Sequence, residues 1–212
     1  MIDKNEVELF LANALIKLPG ASVRGLKTEM FPVLKEFFSY TNAWTEDIVF
    51  QAIADEQNYA LVPVEGQIIR LVGVWDDKGI IIPAFMQDFG TIRLYTRPTT
   101  TPTTTWFARV IKNVTLPTTM DDVPVAPDWT LRVYGEHILD GLLGRMMMQK
   151  DKSFTDLTTA TYHLKRFLAG QNDARMASKS QNLQGAQSWA FPQGTRGSQH
   201  GGVSTAWPSR VF

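Results

Sequence analysis

The best candidate for an active-site cluster in the chain is Glu136-His137-x-x-Asp140, with His163 on the next helical pattern. Glu136 and Asp140 are four residues apart, so on a helix they share a face. Together with a histidine they would offer the oxygen and nitrogen ligands of a metal-dependent hydrolase. Catalytic metal sites draw three protein ligands in a fixed geometry, and this spacing matches no specific motif of that kind. The reading adopted is a solvated helix face on which Asp140 pairs with Arg145 or a neighbour. No Gly-rich phosphate loop follows a strand, since GQIIRLVG and FPQGTRG both lack the spacing. No serine sits in a nucleophile elbow, and without cysteine there is no thiolate nucleophile and no thiolate zinc site. The expectation is therefore a non-enzymatic protein with no catalytic residue, no metal and no cofactor.

A different chemistry is concentrated at the C-terminal end. After Lys179 the chain contains no Asp, Glu or Lys, yet it carries Trp189, Phe191, Arg196, Trp207, Arg210 and Phe212. Ordering a backbone costs roughly 1–2 kcal/mol per residue, whereas burying a large apolar side chain returns about 1.5–3 kcal/mol. Four aromatics cannot hold such a segment as a private fold. A partner's groove can hold it, because aromatic and arginine anchors dominate interface energetics and a charge-poor segment with spaced anchors folds on binding. Trp189, Phe191, Pro192, Arg196, Trp207 and Phe212 are the candidate partner-binding residues.

The elements that position these groups follow from periodicity. Val7, Phe10, Leu11, Ala14, Leu15 and Leu18 recur at helical spacing and end at PGAS. Ser22 is placed to cap a second helix whose stripe is Leu26, Met30, Val33, Leu34, Phe37 and Phe38, with Pro32 predicting a kink or a displaced boundary. From Trp44, six short runs rich in β-branched and aromatic residues read as strands: IVFQAIA, NYALVPV, IIRLVGVW, GIIIPAFM, TIRLYT and WFARVIKNVTL. Asp76-Asp77-Lys78-Gly79 reads as one of the turns between them. RPTTTPTTTW, from Arg97 to Trp106, reads as an extended surface loop. Leu131, Tyr134, Ile138, Leu142 and Met146 mark a third helix, and its Gly141 and Gly144 point to a backbone packed closely against it. Leu157, Ala160, Thr161, Leu164, Phe167 and Leu168 mark the last.

The expected fold is α+β. A four-helix bundle is formed by both ends of the chain, with a small inserted β-sheet or sandwich and an extended C-terminal arm. The boundaries are 1–42 and 128–180 for the halves of the helical domain, 43–127 for the β domain and 181–212 for the arm.

Lys+Arg and Asp+Glu both count 21 in 212 residues, so the net charge is zero and a phosphate-gripping surplus is missing. The amino-terminal stretch has no basic leader, and no apolar run reaches about 18 residues, so neither a secretory signal nor a membrane span is expected. Without cysteine, folding in a reducing cytoplasm is expected. Trp44, Trp75, Trp106 and Trp129 read as core packing at element edges, the alternative being a sugar-stacking surface with Trp75 or Trp106 exposed.

Taken in order, four stretches resemble the head-to-tail adaptor proteins of tailed bacteriophages, of the short-tailed (podovirus) type. They are LPGASVRGLKTEMFPVLKEFFSYTNAW, NYALVPVEGQIIRLVGVWDDKG, HILDGLLGRMMMQKDKSF, and YHLKRFLAGQNDAR followed by SWAFPQ. The resemblance covers roughly Leu18 to Gln193. It implies a structural virion protein made in the host cytoplasm and sited at the head–tail junction. It further implies a homo-dodecameric ring joining the portal protein to a tail tube or nozzle protein. The arm, anchored by Trp189, Phe191 and Pro192, would reach into the portal. Genomic DNA would pass through the lumen without sequence recognition. Another neck or tail protein, such as a tail-completion or tube protein, is the alternative.

Overall fold

Ser22 and Asn42 show how local chemistry sets the helix boundaries. Ser22 Oγ accepts the Gly25 N–H at 3.0 Å and starts a helix, and Asn42, in the left-handed region at φ 54°, ends it by donating its N–H to Phe38 O. The structure is a computed structural model and describes residues 2–99, 105–115 and 124–182, with side chains to Lys179. In chain order its elements are α1 (Lys4–Lys17), α2 (Val23–Thr41), β1 (Thr45–Phe50), β2 (Asn58–Ala60), β3 (Gln67–Trp75), β4 (Ile81–Ile82), β5 (Ala84–Asp88), β6 (Thr91–Leu94), β7 (Trp106–Asn113), α3 (Trp129–Met147) and α4 (Leu157–Asn182). The class is α+β, with four helices and two small antiparallel sheets among the described residues.

The structure decides three element boundaries. Helix α2 runs without a break through Pro32, so the proline does not displace its boundary. The run GIIIPAFM is two strands, because Pro83 has no N–H to give a ladder and β4 and β5 join different sheets on either side of it. Helix α4 continues to Asn182, past the boundary expected between helix and arm.

The four-stranded sheet has the order β1-β7-β3-β4 and the three-stranded sheet the order β2-β6-β5. Their inward residues, among them Ile48, Ala108, Val110 and Val74 of the first and Tyr59, Ile92 and Leu94 of the second, form one apolar cluster. Period-two alternation requires this, since it gives each strand one buried side. Strand β3 pairs with β7 through two bulges, between Ile68 and Arg70 and between Leu71 and Gly73, which add local twist.

All four helices contribute to a second cluster. Leu11 and Leu18 from α1 and its end, Leu34, Phe37 and Phe38 of α2, Ile138 and Leu142 of α3, and Ala160 and Phe167 of α4 meet there with Trp44 and Val114. Helices from the two ends of the chain therefore share one core. The chain start is tied in by Ile2 N–H donating to Ala126 O at 3.0 Å. Helices α3 and α4 approach closely where the glycines predict it: a Cβ on Gly141 would lie 2.9 Å from the Phe167 ring, and one on Gly144 2.7 Å from Leu164.

The helical and β parts meet at the end of β7. Asn113, buried, donates its side-chain N–H groups to Lys35 O and Ser39 Oγ of α2 and accepts from Val114 N–H. Lys112, also buried, lies 2.6 Å from Glu46 and 4.5 Å from the Trp44 ring centroid, a cation held by a carboxylate and a π-face. Gly66, at φ 75°, lets the chain pass Trp44, which a Cβ there would strike at 2.6 Å. Met1–Ser178 form one compact unit.

Candidate functional site

The candidate partner-binding residues Trp189, Phe191, Pro192, Arg196, Trp207 and Phe212 lie outside the described residues, as does the middle of the Thr/Pro-rich stretch. What can be built upward from the described residues is the titratable cluster, one groove and the outer face of the larger sheet.

Asp140 corrects the reading of a solvated helix face. It is 3% exposed, because α4 packs over that side of α3 at the two glycines. Its Oδ1 lies 2.7 Å from His163 Nδ1, and a carboxylate can only accept, so the ring proton sits on Nδ1. Arg166 Nε lies 3.1 Å from Oδ2 as an ion pair whose N–H is not aligned for a hydrogen bond. The charge of Asp140, together with a hydrogen bond to Tyr162, raises Arg166 above its ordinary value. Arg145, the expected partner, instead pairs with Glu36 of α2 at 2.5 Å.

His137 faces Gly170, where a Cβ would collide with its ring, and its Nδ1 is buried without a hydrogen-bond partner. The fold thus unites Asp140 with His163 and turns His137 to a different neighbour. Among the described residues no three His, Cys, Asp or Glu side chains converge as a metal site would need. The arrangement is a buried carboxylate that accepts a hydrogen bond from His163 and faces the Arg166 guanidinium, both on α4, and its chemistry is that of a helix-to-helix tie.

A groove of about 330 Å³ opens between α1 and α3, lined by Leu9, Phe10, Leu131, Gly135 and Leu139 among others. Glu6 on its edge accepts two hydrogen bonds from Arg132, at 3.0 and 2.8 Å, which raise the arginine above its ordinary value. Periodicity could not have found this groove, because it depends on which side of α3 the first helix covers.

On the outer face of the larger sheet, Val49, Phe107, Trp75 and Ile81 stand in register across all four strands. Trp44 is a core residue as expected, and Trp106 and Trp129 pack half-buried against the sheet and helical cores, but Trp75 lies over Gly73 on this outer face and is in neither core among the described residues. Beside it Arg109 makes a two-pronged bond to Asp47, 2.7 Å at each oxygen. That hydrogen bond holds the Asp47 carboxyl below its ordinary value despite partial burial.

No helix of the described residues is long and apolar enough to cross a membrane. No family model matches the chain, and no curated protein matches it either.

Proposed function

We propose that the chain is a head-to-tail adaptor of a tailed bacteriophage, a structural virion protein that joins portal to tail. In this reading its helices form a bundle closed from both ends of the chain, with the two sheets as an inserted domain. Copies assemble as a homo-dodecameric ring, DNA passes through the lumen, and the C-terminal arm docks into the portal through Trp189, Phe191, Pro192, Arg196, Trp207 and Phe212. A ring makes modest arm affinity sufficient, because once one arm has bound the others act at high effective concentration.

The observation that carries the reading is the sharing of one core by α1, α2, α3 and α4, with both sheets lying between them in sequence and an acid-free, aromatic-bearing segment following α4. Chemistry points the same way: the buried titratable cluster of the α3–α4 face is spent on tying two helices together. The test is the copy number of this chain relative to the portal protein in purified particles of the phage that encodes it, by quantitative mass spectrometry. Equal numbers are expected. Absence from the particle overturns the proposal, and presence at a number unrelated to the portal favours another neck or tail component.

A further inference from the structure

Three glycines lie within α3, and two of them are required by the fold. Gly141 and Gly144 leave room for Phe167 and Leu164 of α4, whereas a Cβ on Gly135 would meet nothing within 4 Å. Glycine is the poorest helix former after proline, so a glycine that no neighbour requires calls for another reason. Gly135 lines the groove between α1 and α3, and a side chain there would enter open space. The groove's wall residue Leu9 is 67% exposed, an apolar side chain that nothing in the chain covers among the described residues.

The groove and α4 lie on opposite sides of α3. His137, Gly141 and Gly144 face α4, and Leu131, Gly135 and Leu139 face the groove. At about 100° per residue these two sets point roughly half a turn apart. The outer face of α4 is itself uncovered: Tyr162, Leu168 and Met176 are half or more exposed, around an exposed Lys165. Glu136 on the groove and Lys165 on α4 are of opposite sign, and neither forms an ion pair among the described residues. Glu136 senses the Arg166 guanidinium at longer range.

We propose that the outer face of α4 of one copy seats in the α1–α3 groove of the next copy, with an apolar side chain over Gly135 and Lys165 against Glu136. This rests on the ring reading above and assigns its lateral contact. Because the two surfaces are different patches on opposite sides of α3, the contact is head-to-tail. Such contacts close into a ring or run on as a filament, and do not stop at a two-fold dimer.

The native chain has no cysteine, so the contact can be trapped without background. Asn13→Cys marks the groove and Ala169→Cys the outer face of α4, both at exposed positions. Treated with a short bis-maleimide, the full-length double variant is expected to give a ladder of three or more joined copies, and each single variant dimers at most. Gly135→Phe, which fills the groove, should abolish the ladder with the thermal midpoint kept. Should that variant not fold, Glu136→Lys or Lys165→Glu alone should cut ladder yield about tenfold, and the two together restore it.

A pattern that ends at dimers, no ladder, a ladder that survives Gly135→Phe, or protection of the groove thiol that depends on residues 188–212 overturns the proposal. The adaptor reading is scored separately, by capture of the chain on portal protein. Loss of the ladder with capture intact sinks only this interface. A ladder without capture sinks the adaptor reading and leaves the self-contact standing.

Discussion

Asp140 shows where residue-level reading stops. Its type and its spacing from Glu136 were visible, but its burial was not, because burial depends on α4 lying over it at Gly141 and Gly144. The glycines were the available signal, and joining them to Asp140 identifies the helix-to-helix tie. Asp47 shows a second limit, since its partner Arg109 is distant in sequence and arrives by strand pairing alone. Its lowered carboxyl pKa has a consequence with a definite sign. A carboxylate depressed on folding adds stability that is fully present above its unfolded value and is lost as pH falls through its lower folded value. Asp47→Asn is therefore expected to be least stable relative to the parent near neutral pH. The gap should close on acidification below the ordinary carboxylate range. Urea unfolding of both proteins from neutral to strongly acidic pH checks this, and a gap independent of pH would contradict it.

At the scale of elements, periodicity located the four helices and the strand regions found among the described residues, because one-sided burial imposes periods of 3.6 and 2. It misjudged continuity at Pro83, which divides one apolar run between two sheets, whereas at Pro32 it left open a displaced boundary that the unbroken helix rules out. Local sequence does not say whether neighbouring groups will supply the missing contacts. The joint between the helices and the sheets was also illegible, since Lys112, Glu46 and Trp44 come together only when β7 lies beside β1. The two kinds of glycine on α3 give an element-scale prediction. Gly141→Ala forces a methyl against the buried Phe167 ring and should cost about 1–2 kcal/mol, as overpacking does. Gly135→Ala enters open space and should gain roughly 0.5–1 kcal/mol of helix stability. Denaturant midpoints of the two variants, expected to move in opposite directions, decide the matter.

For the whole molecule, the division of labour between body and C-terminal segment is the testable feature. Deleting residues 188–212 leaves every described member of both apolar cores in place, so the truncated chain should unfold at the parent's midpoint. Under the adaptor reading it should no longer be captured by portal protein. Pull-down on immobilised portal with parent and truncated chains reads this directly, and normal capture of the truncated chain would sink the arm hypothesis. The segment's composition led to the expectation of an anchor for a partner, and the partner's identity rested on resemblance.

The core shared by both ends of the chain also sets a schedule for synthesis. Helices α1 and α2 leave the ribosome with Phe37, Phe38 and Leu34 facing outward, and their cover arrives with Ile138, Leu142 and Phe167. At ~5–20 residues per second that interval is roughly 5–30 s. The sheets, whose described core members all lie between the helices in sequence, can close in the meantime. The nascent chain thus carries an unpaired helical hairpin through most of its own translation, and that hairpin is where a chaperone would bind.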